Sequence, residues 1–173
     1  LYGEGTIDAT NDTEICAGNW LAWQLVGQGD GASISLVTPY LNKTDMVSCT
    51  PYVSDGDTPL GQPHDGIDCF PIADLRPFRA GCSGVIGEYR LWQNDISSNW
   101  QVNIGIECDS RFTLIYAFEP MTAIEVDGEV QLANITVSAA QSVSQGDIIG
   151  RLFAKGEGAH VHFGLLEEYL AIC

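Results

Sequence analysis

Positively charged residues are scarce in this chain. Its 173 residues include 7 Lys and Arg against 23 Asp and Glu, which gives a formal net charge of −16. Nucleic-acid binding depends on the neutralisation of phosphates by Lys and Arg, so nucleic acid and anionic membrane surfaces are not expected as partners. No apolar run approaches the roughly 18–20 residues of a membrane helix, so we expect no membrane insertion. The length suits one globular domain, with or without an appended subdomain.

The chain also lacks any Cys-x-x-Cys pair, which metal knuckles and thioredoxin-like redox motifs require. Its six cysteines are widely spaced, at positions 16, 49, 69, 82, 108 and 173. An even number of separated cysteines favours disulfides, which persist in oxidising compartments. We therefore expect an exported protein, periplasmic or extracellular. Cys69 directly follows Asp68, but alternation along a strand turns the two side chains to opposite faces, which favours a structural cysteine over a metal thiolate.

A long amphipathic helical period is missing as well, and apolar residues recur at the spacing of β-strands. Val102, Ile104 and Ile106 alternate with Asn103 and Gly105. Short segments of this kind, separated by turn residues, are typical of an all-β sandwich or barrel. The other predicted strands of the central and C-terminal parts cover residues 84–92, 111–118, 129–138, 148–154 and 158–166. Residues 70–79 contain two prolines and are predicted to form an irregular loop.

Histidine is scarce in this chain, and all three histidines fall in two short stretches. One is His64-Asp65-Gly66-Ile67-Asp68, and the other contains His160-Val161-His162. In an extended strand, residues two or four positions apart share a face. His160 and His162 therefore point the same way, and so do His64 and Asp68, with Gly66 leaving room between them. Three imidazoles and one carboxylate provide the ligands of a zinc site with one group left over.

The leftover group can do chemistry. A catalytic zinc takes three protein ligands and keeps a fourth position for water, and a further basic group near that water can accept its proton. His64, Asp68 and one histidine of the His-x-His pair fill the ligand positions, and the remaining histidine is the base. Both histidines lie on one face, so these residues alone leave open which of the two takes which role.

The two stretches resemble the paired motifs of the lysostaphin/LytM-type zinc metallopeptidases, the M23 peptidase family. The similarity extends over residues 60–168 and includes Arg79-Ala80-Gly81-Cys82-Ser83-Gly84-Val85-Ile86 and Val143-Ser144-Gln145-Gly146-Asp147-Ile148-Ile149-Gly150. It implies a compact antiparallel β-sheet domain of barrel-sandwich type. It also implies a Zn²⁺-dependent endopeptidase that hydrolyses peptide bonds in bacterial cell-wall peptidoglycan, with zinc-bound water as the nucleophile. By the family pattern His64, Asp68 and His162 hold the zinc, and His160 is the catalytic base.

One departure from the family concerns the central strand, which usually reads Tyr-Ala-His and whose histidine stabilises the oxyanion. Here the residues are Tyr116-Ala117-Phe118. Loss of a transition-state donor costs about 10²–10³ in rate. The alternative function is therefore a catalytically weak or inactive M23-like module that binds zinc or cell-wall peptide in a regulatory or structural role. Tyr116, if it faces the site, is the substitute donor that we nominate as a second catalytic residue.

The N-terminal part has no counterpart in this resemblance. Residues 1–50 are predicted to be an N-terminal β extension or subdomain of unknown role, and residues 51–173 the M23-like peptidase domain. Within the extension, residues 18–26 and 32–41 are apolar runs on either side of a Gly-rich loop, which predicts a strand pair. The weakest alternative for the whole chain is a disulfide-stapled β module whose histidines bind metal adventitiously.

Overall fold

Strands are the main secondary structure of the described residues, and all but one of the strand pairs are antiparallel. The computed structural model describes residues 5–8, 22–26, 33–49, 66–167 and 170–172. The N-terminal part of this set contains β1 (Gly5–Asp8), β2 (Ala22–Val26), β3 (Ser33–Val37), a 3₁₀ turn (Lys43–Asp45) and β4 (Met46–Cys49). The rest contains β5 (Ile67–Pro71), β6 (Pro77–Arg79), β7 (Gly84–Gln93), β8 (Trp100–Glu107), β9 (Phe112–Glu119), helix α1 (Glu125–Ala133), β10 (Ser142–Val143), β11 (Ile148–Arg151), β12 (His160–Glu167) and β13 (Leu170–Ile172).

The largest sheet has eight strands and runs in the order β10-β7-β8-β9-β12-β5-β4, with β13 also pairing with β12. All its strand pairs are antiparallel. Strands β6 and β11 form a separate two-stranded ladder, and β1, β2 and β3 form a small N-terminal sheet. The expectation of an all-β antiparallel fold with an N-terminal β extension is confirmed. The strand pair predicted within residues 18–41 is the antiparallel ladder of β2 and β3.

The core lies against one face of the large sheet, because β8, β9 and β12 turn alternate apolar side chains to it. Buried members include Val102, Phe118 and Val161, which are opposite one another across the three strands. The rings of Phe78 and Phe118 meet edge to face, with 5.7 Å between their centroids. The opposite face of β5, β9 and β12 therefore carries the residues in the alternate positions, which include Asp68, His160 and His162.

The N-terminal segment is attached to this core through β6 and the residues after it. Arg79 donates from Nε to the carbonyl oxygen of Thr38 at 2.8 Å and from Nη2 to Thr38 Oγ1 at 2.9 Å. The Val37 N–H donates to the Gly81 carbonyl at 2.9 Å. In addition, β4 pairs with β5 in the large sheet. The division of the chain at residue 50 stays a prediction, and the strand that precedes it lies beside the strand that carries Asp68.

Two local predictions are wrong. Residues 129–138, predicted as a strand, belong largely to helix α1 and the segment after it. Glu125 and Asp127 in the first turn favour a helix N-terminus electrostatically, and Gly128 allows the helix to lie against Trp100, where an added Cβ would come within 2.8 Å of the Trp100 Cβ. Residues 70–79, predicted as an irregular loop, contain the end of β5 and all of β6, because prolines are tolerated at strand ends.

Four of the six cysteines lie in the described residues, and all four are in disulfides. Cys49 is joined to Cys69, which ties β4 to β5, and Cys82 is joined to Cys108. The prediction of structural cysteines is confirmed for these four, including Cys69. Cys16 and Cys173 lie outside the described residues. Within the part of the chain that the structure describes, no helix has the length and apolar character needed to cross a membrane.

Candidate metal and catalytic site

The site face of the large sheet brings together Asp68 and His162. The two residues are directly opposite each other in the ladder of β5 and β12. Opposite residues in an antiparallel pair share a face and have neighbouring side chains, and His162 Nδ1 lies 3.0 Å from Asp68 Oδ1. The side chains of His162 and Asp68 are 18% and 21% exposed, so both are largely withdrawn from water and each keeps a part that solvent can reach.

His160 lies two residues earlier on the same face. Its Nδ1 is 2.7 Å from the carbonyl oxygen of Gly158. Because a carbonyl only accepts hydrogen bonds, Nδ1 carries the proton, and Nε2 of the neutral ring has a free lone pair. Nε2 lies 3.4 Å from Asp68 Oδ1, and the ring of Phe70 flanks the imidazole with 5.1 Å between centroids. The tautomer that the backbone selects is the one in which Nε2 can accept a proton.

Gly66 makes room for His162. A Cβ built on Gly66 would lie 2.5 Å from His162 Nε2 and 2.6 Å from the Phe163 carbonyl oxygen. Real Cβ atoms do not approach so closely, and the Phe163 oxygen belongs to the backbone of β12, so any side chain at position 66 would displace the imidazole or the strand. The glycine in the first motif is therefore explained by close packing beneath the histidine.

The two described members of the predicted donor set, Asp68 and His162, are of types that fit zinc. In a tetrahedral site with bonds of about 2.0–2.1 Å, two ligand atoms lie about 3.3 Å apart. Asp68 Oδ1 lies 3.0 Å from His162 Nδ1 and 3.4 Å from His160 Nε2, so both histidines are near that spacing. An imidazole nitrogen and a carboxylate oxygen are ordinary zinc ligands. His64, the third ligand of the predicted set, lies outside the described residues. Among the described residues alone, no group of three or more His, Cys, Asp or Glu side chains makes a complete metal site.

Tyr116, the predicted substitute donor, faces the core of the protein and not the site. It pairs with Phe163 in the β9–β12 ladder and shares the core face with it, and its ring packs edge to face on that phenylalanine at 5.1 Å. Its side chain is fully buried. The Tyr116 hydroxyl accepts a hydrogen bond from the Gly81 N–H at 2.7 Å and donates to the Arg79 carbonyl at 3.0 Å. Burial raises the pKa of this phenol well above its ordinary value.

Phe118 also faces the core, where it is fully buried opposite Val161. The site-face residues of the same strand are Ala117, opposite His162, and Glu119, opposite His160. Glu119 Oε2 lies 3.9 Å from His160 Nε2. Glu119 is not among the residues predicted from the sequence, although the apolar alternation of Phe112, Leu114, Tyr116 and Phe118 already assigns residue 119 to the other face of β9.

Solved structures with this fold include peptidases. A zinc-containing peptidase from Vibrio cholerae is 17% identical, with a TM-score of 0.56, and matches 91% of this chain and 46% of its own. A mutant of the catalytic domain of the prophage-encoded M23 protein EnpA from Enterococcus faecalis is 18% identical, with a TM-score of 0.53, over 75% of this chain and 85% of that domain. The antimicrobial peptidase lysostaphin from Staphylococcus simulans is 20% identical, with a TM-score of 0.50, over 75% of this chain and 47% of its own.

This chain thus spans less than half the length of the Vibrio cholerae peptidase and of lysostaphin. No protein-family model matches the sequence, and no curated protein matches it. At identities of 17–20% the likeness is one of fold. The expected resemblance is confirmed at that level: the chain has the fold of the M23 peptidases.

Proposed function

We propose that this protein is a zinc-dependent endopeptidase that hydrolyses peptide bonds in bacterial cell-wall peptidoglycan. One observation carries the proposal: Asp68, His160 and His162 converge on one face of a sheet whose fold is that of the M23 peptidases. His64, Asp68 and His162 would hold the metal, and His160 would act as the base. Zinc, when bound, lowers the pKa of a coordinated water to about 7 and polarises a carbonyl group.

The residues of the chain itself supply the remaining parts of the mechanism. The hydrogen bond from His160 Nδ1 to the Gly158 carbonyl keeps Nε2 unprotonated in the neutral ring, so the proton of an attacking water is received at Nε2. Phe70 and the Gly158 carbonyl hold the imidazole in place, and the His160 side chain is 13% exposed. A ring held in this way loses little freedom when substrate binds, which favours proton transfer in a fixed geometry.

Export to the periplasm or beyond the cell belongs to the same proposal. Peptidoglycan lies outside the cytoplasmic membrane, and disulfides persist in oxidising compartments. The disulfides Cys49–Cys69 and Cys82–Cys108 support this location.

The alternative is an M23-like module with weak or no catalysis that binds zinc or cell-wall peptide. The side chains at positions 116 and 118 favour it, because Tyr116 and Phe118 face the core and neither can donate a hydrogen bond to a developing oxyanion. An ionised Glu119 only accepts hydrogen bonds.

The test is hydrolysis of purified peptidoglycan, or of a glycine-rich peptide, by the zinc-loaded protein and by His160→Ala. We expect turnover by the parent protein and a loss of about 10²–10⁴-fold in the variant, the range for removal of a general base. Equal rates in both proteins, or no turnover in either at full zinc occupancy, would favour the binding module. Measurement of zinc content in the same samples distinguishes loss of the base from loss of the metal.

A further inference from the structure

Glu119 is placed at the reaction centre by the ladder between β9 and β12. It is the last residue of β9 and lies directly opposite His160. Its carboxylate comes within 3.9 Å of His160 Nε2, while Asp68 on β5 comes within 3.4 Å of the same atom. Nε2 is therefore flanked by carboxylates from the two strands on either side of β12. The Glu119 side chain is 18% exposed, so part of it is accessible to solvent on the same face as His160.

The chemistry of this carboxylate decides what it can bind. An ionised carboxylate has two oxygens that accept hydrogen bonds and no proton to donate. It cannot stabilise the negative oxygen that develops during amide hydrolysis, and it would repel a substrate carboxylate placed beside it. A group that binds well at Glu119 must bring its own N–H donors, and a charged ammonium forms the stronger, charge-assisted hydrogen bond.

We propose that Glu119 determines substrate specificity by binding a free ammonium group of the substrate next to the cleaved bond. The substrate class is a peptide that carries a positively charged amine, either as a chain terminus or on the side chain of a diamino residue. This inference rests on the proposed peptidase function and narrows the substrate that the site accepts.

The position of the ammonium follows from the distances. A nitrogen at hydrogen-bond distance, about 2.8 Å, from Glu119 Oε2 lies within about 7 Å of His160 Nε2. One residue of extended peptide spans about 3.3–3.6 Å. The amine therefore belongs to a residue no more than about two positions from the bond that is cleaved, or to the end of a side chain that reaches back to it.

The experiment compares two peptides that differ only in this amine, one free and one acetylated, on a single enzyme preparation. The readout is the ratio of their kcat/KM values, which cancels differences in zinc loading and in folded fraction. We expect the parent protein to prefer the free amine by about tenfold or more, the size of a charge-assisted hydrogen bond. Glu119→Gln keeps the size of the side chain and removes its charge, so its ratio should fall towards one.

Glu129→Gln is the matched control. Glu129 is exposed on helix α1, and its variant makes the same change in net charge while leaving the site intact, so the preference of the parent should be retained. A preference that falls equally in both variants would mean that the overall charge of the protein selects the cation, and it would overturn the role of Glu119. A parent that treats the two peptides alike would also overturn it.

If the protein is not a peptidase, peptide binding can still test the role of Glu119. If the parent cleaves neither peptide, the affinities of the two peptides for the parent protein and for Glu119→Gln, measured by calorimetry, give the same ratio without turnover. A preference for the free amine that is lost in Glu119→Gln would support the role of Glu119 in a binding module. Equal affinities would overturn it.

Discussion

Asp68 Oδ1 and His162 Nδ1 lie 3.0 Å apart although 94 positions separate the two residues in the chain. Their contact exists because β5 and β12 pair antiparallel in the register that sets Asp68 opposite His162. A shift of one residue in that register would turn one of the two side chains to the core face. The candidate site therefore depends on the pairing of these two strands as much as on the identity of its side chains.

Zinc affinity should distinguish the role of His162, a predicted metal ligand, from that of His160, the predicted base. Removal of a first ligand by Asp68→Ala or His162→Ala should weaken zinc affinity by more than about 100-fold, beyond the effect of altering a residue that only orients a ligand. His160→Ala should retain zinc with little change, because His160 is assigned to proton transfer. Competition with a chromophoric chelator measures all three affinities. Loss of zinc from His160→Ala equal to that from His162→Ala would contradict the assignment.

Gly66→Ala should displace the His162 side chain and so weaken zinc binding. The added Cβ would meet the His162 ring and the backbone of β12, so we expect lower zinc affinity together with lower stability. The control is Gly146→Ala, where a Cβ meets nothing within 4 Å but the φ of +93° disfavours a side chain. That variant should lose about 1–2 kcal/mol of stability and bind zinc as the parent does. Unchanged zinc affinity in Gly66→Ala would show that the packing is not needed.

The two described disulfides should differ in their effect on the metal. They join cysteines 20 and 26 positions apart, so the entropy of loop closure predicts a similar loss of about 3 kcal/mol for removal of either one. Only the loop closed by Cys49–Cys69 contains His64, and Cys69 directly follows Asp68. The double variant Cys49→Ser, Cys69→Ser should therefore lose zinc affinity as well as stability. Cys82→Ser, Cys108→Ser should lose stability alone, which chelator competition and urea unfolding together can test.

Tyr116→Phe should destabilise the fold by about 1–3 kcal/mol, because the Gly81 N–H and the Arg79 carbonyl lose a buried partner. Burial raises the pKa of Tyr116 above the ordinary value of 10.0, so the folded state holds the phenol proton more tightly than the unfolded state. This contribution is complete below pH 10 and declines as the pH rises above it. Urea unfolding between pH 7 and 11 should therefore show a steeper alkaline loss of stability in the parent than in Tyr116→Phe. Tyr89→Phe, on the half-buried Tyr89 of β7, is the control.

A histidine introduced on β9 should act differently at two adjacent positions. Phe118→His places an imidazole in the core opposite Val161, and we expect a loss of about 3 kcal/mol or more of stability, from the lost aromatic packing and the buried polar ring. Glu119→His places the ring on the site face opposite His160, where it can donate a hydrogen bond to a developing oxyanion. That variant should fold normally and hydrolyse neutral peptides faster than the parent. Higher activity in Phe118→His than in Glu119→His would contradict the register of β9.

The strands of the large sheet could be predicted because their alternation is local. Val102, Ile104 and Ile106 are buried as their spacing indicates, and β7 and β9 begin and end within one residue of the predicted bounds. Helix α1 could not be predicted, because Val126 and Val130 favour strands by propensity. Its helical state depends on distant partners: Gln131 donates to the Arg151 carbonyl at 2.9 Å and accepts from the Phe153 N–H at 2.8 Å.

The sequence by itself determined which side chains alternate along each strand, and hence that His160 and His162 share one face of their strand and that Tyr116 and Phe118 share one face of theirs. Only the tertiary structure decided which strands are neighbours and in what register. That choice places Asp68 against His162, Glu119 against His160, and Tyr116 in the core. The physical reason is that side-chain alternation follows from the covalent geometry of one strand, whereas register depends on packing and backbone hydrogen bonds between residues far apart in the chain.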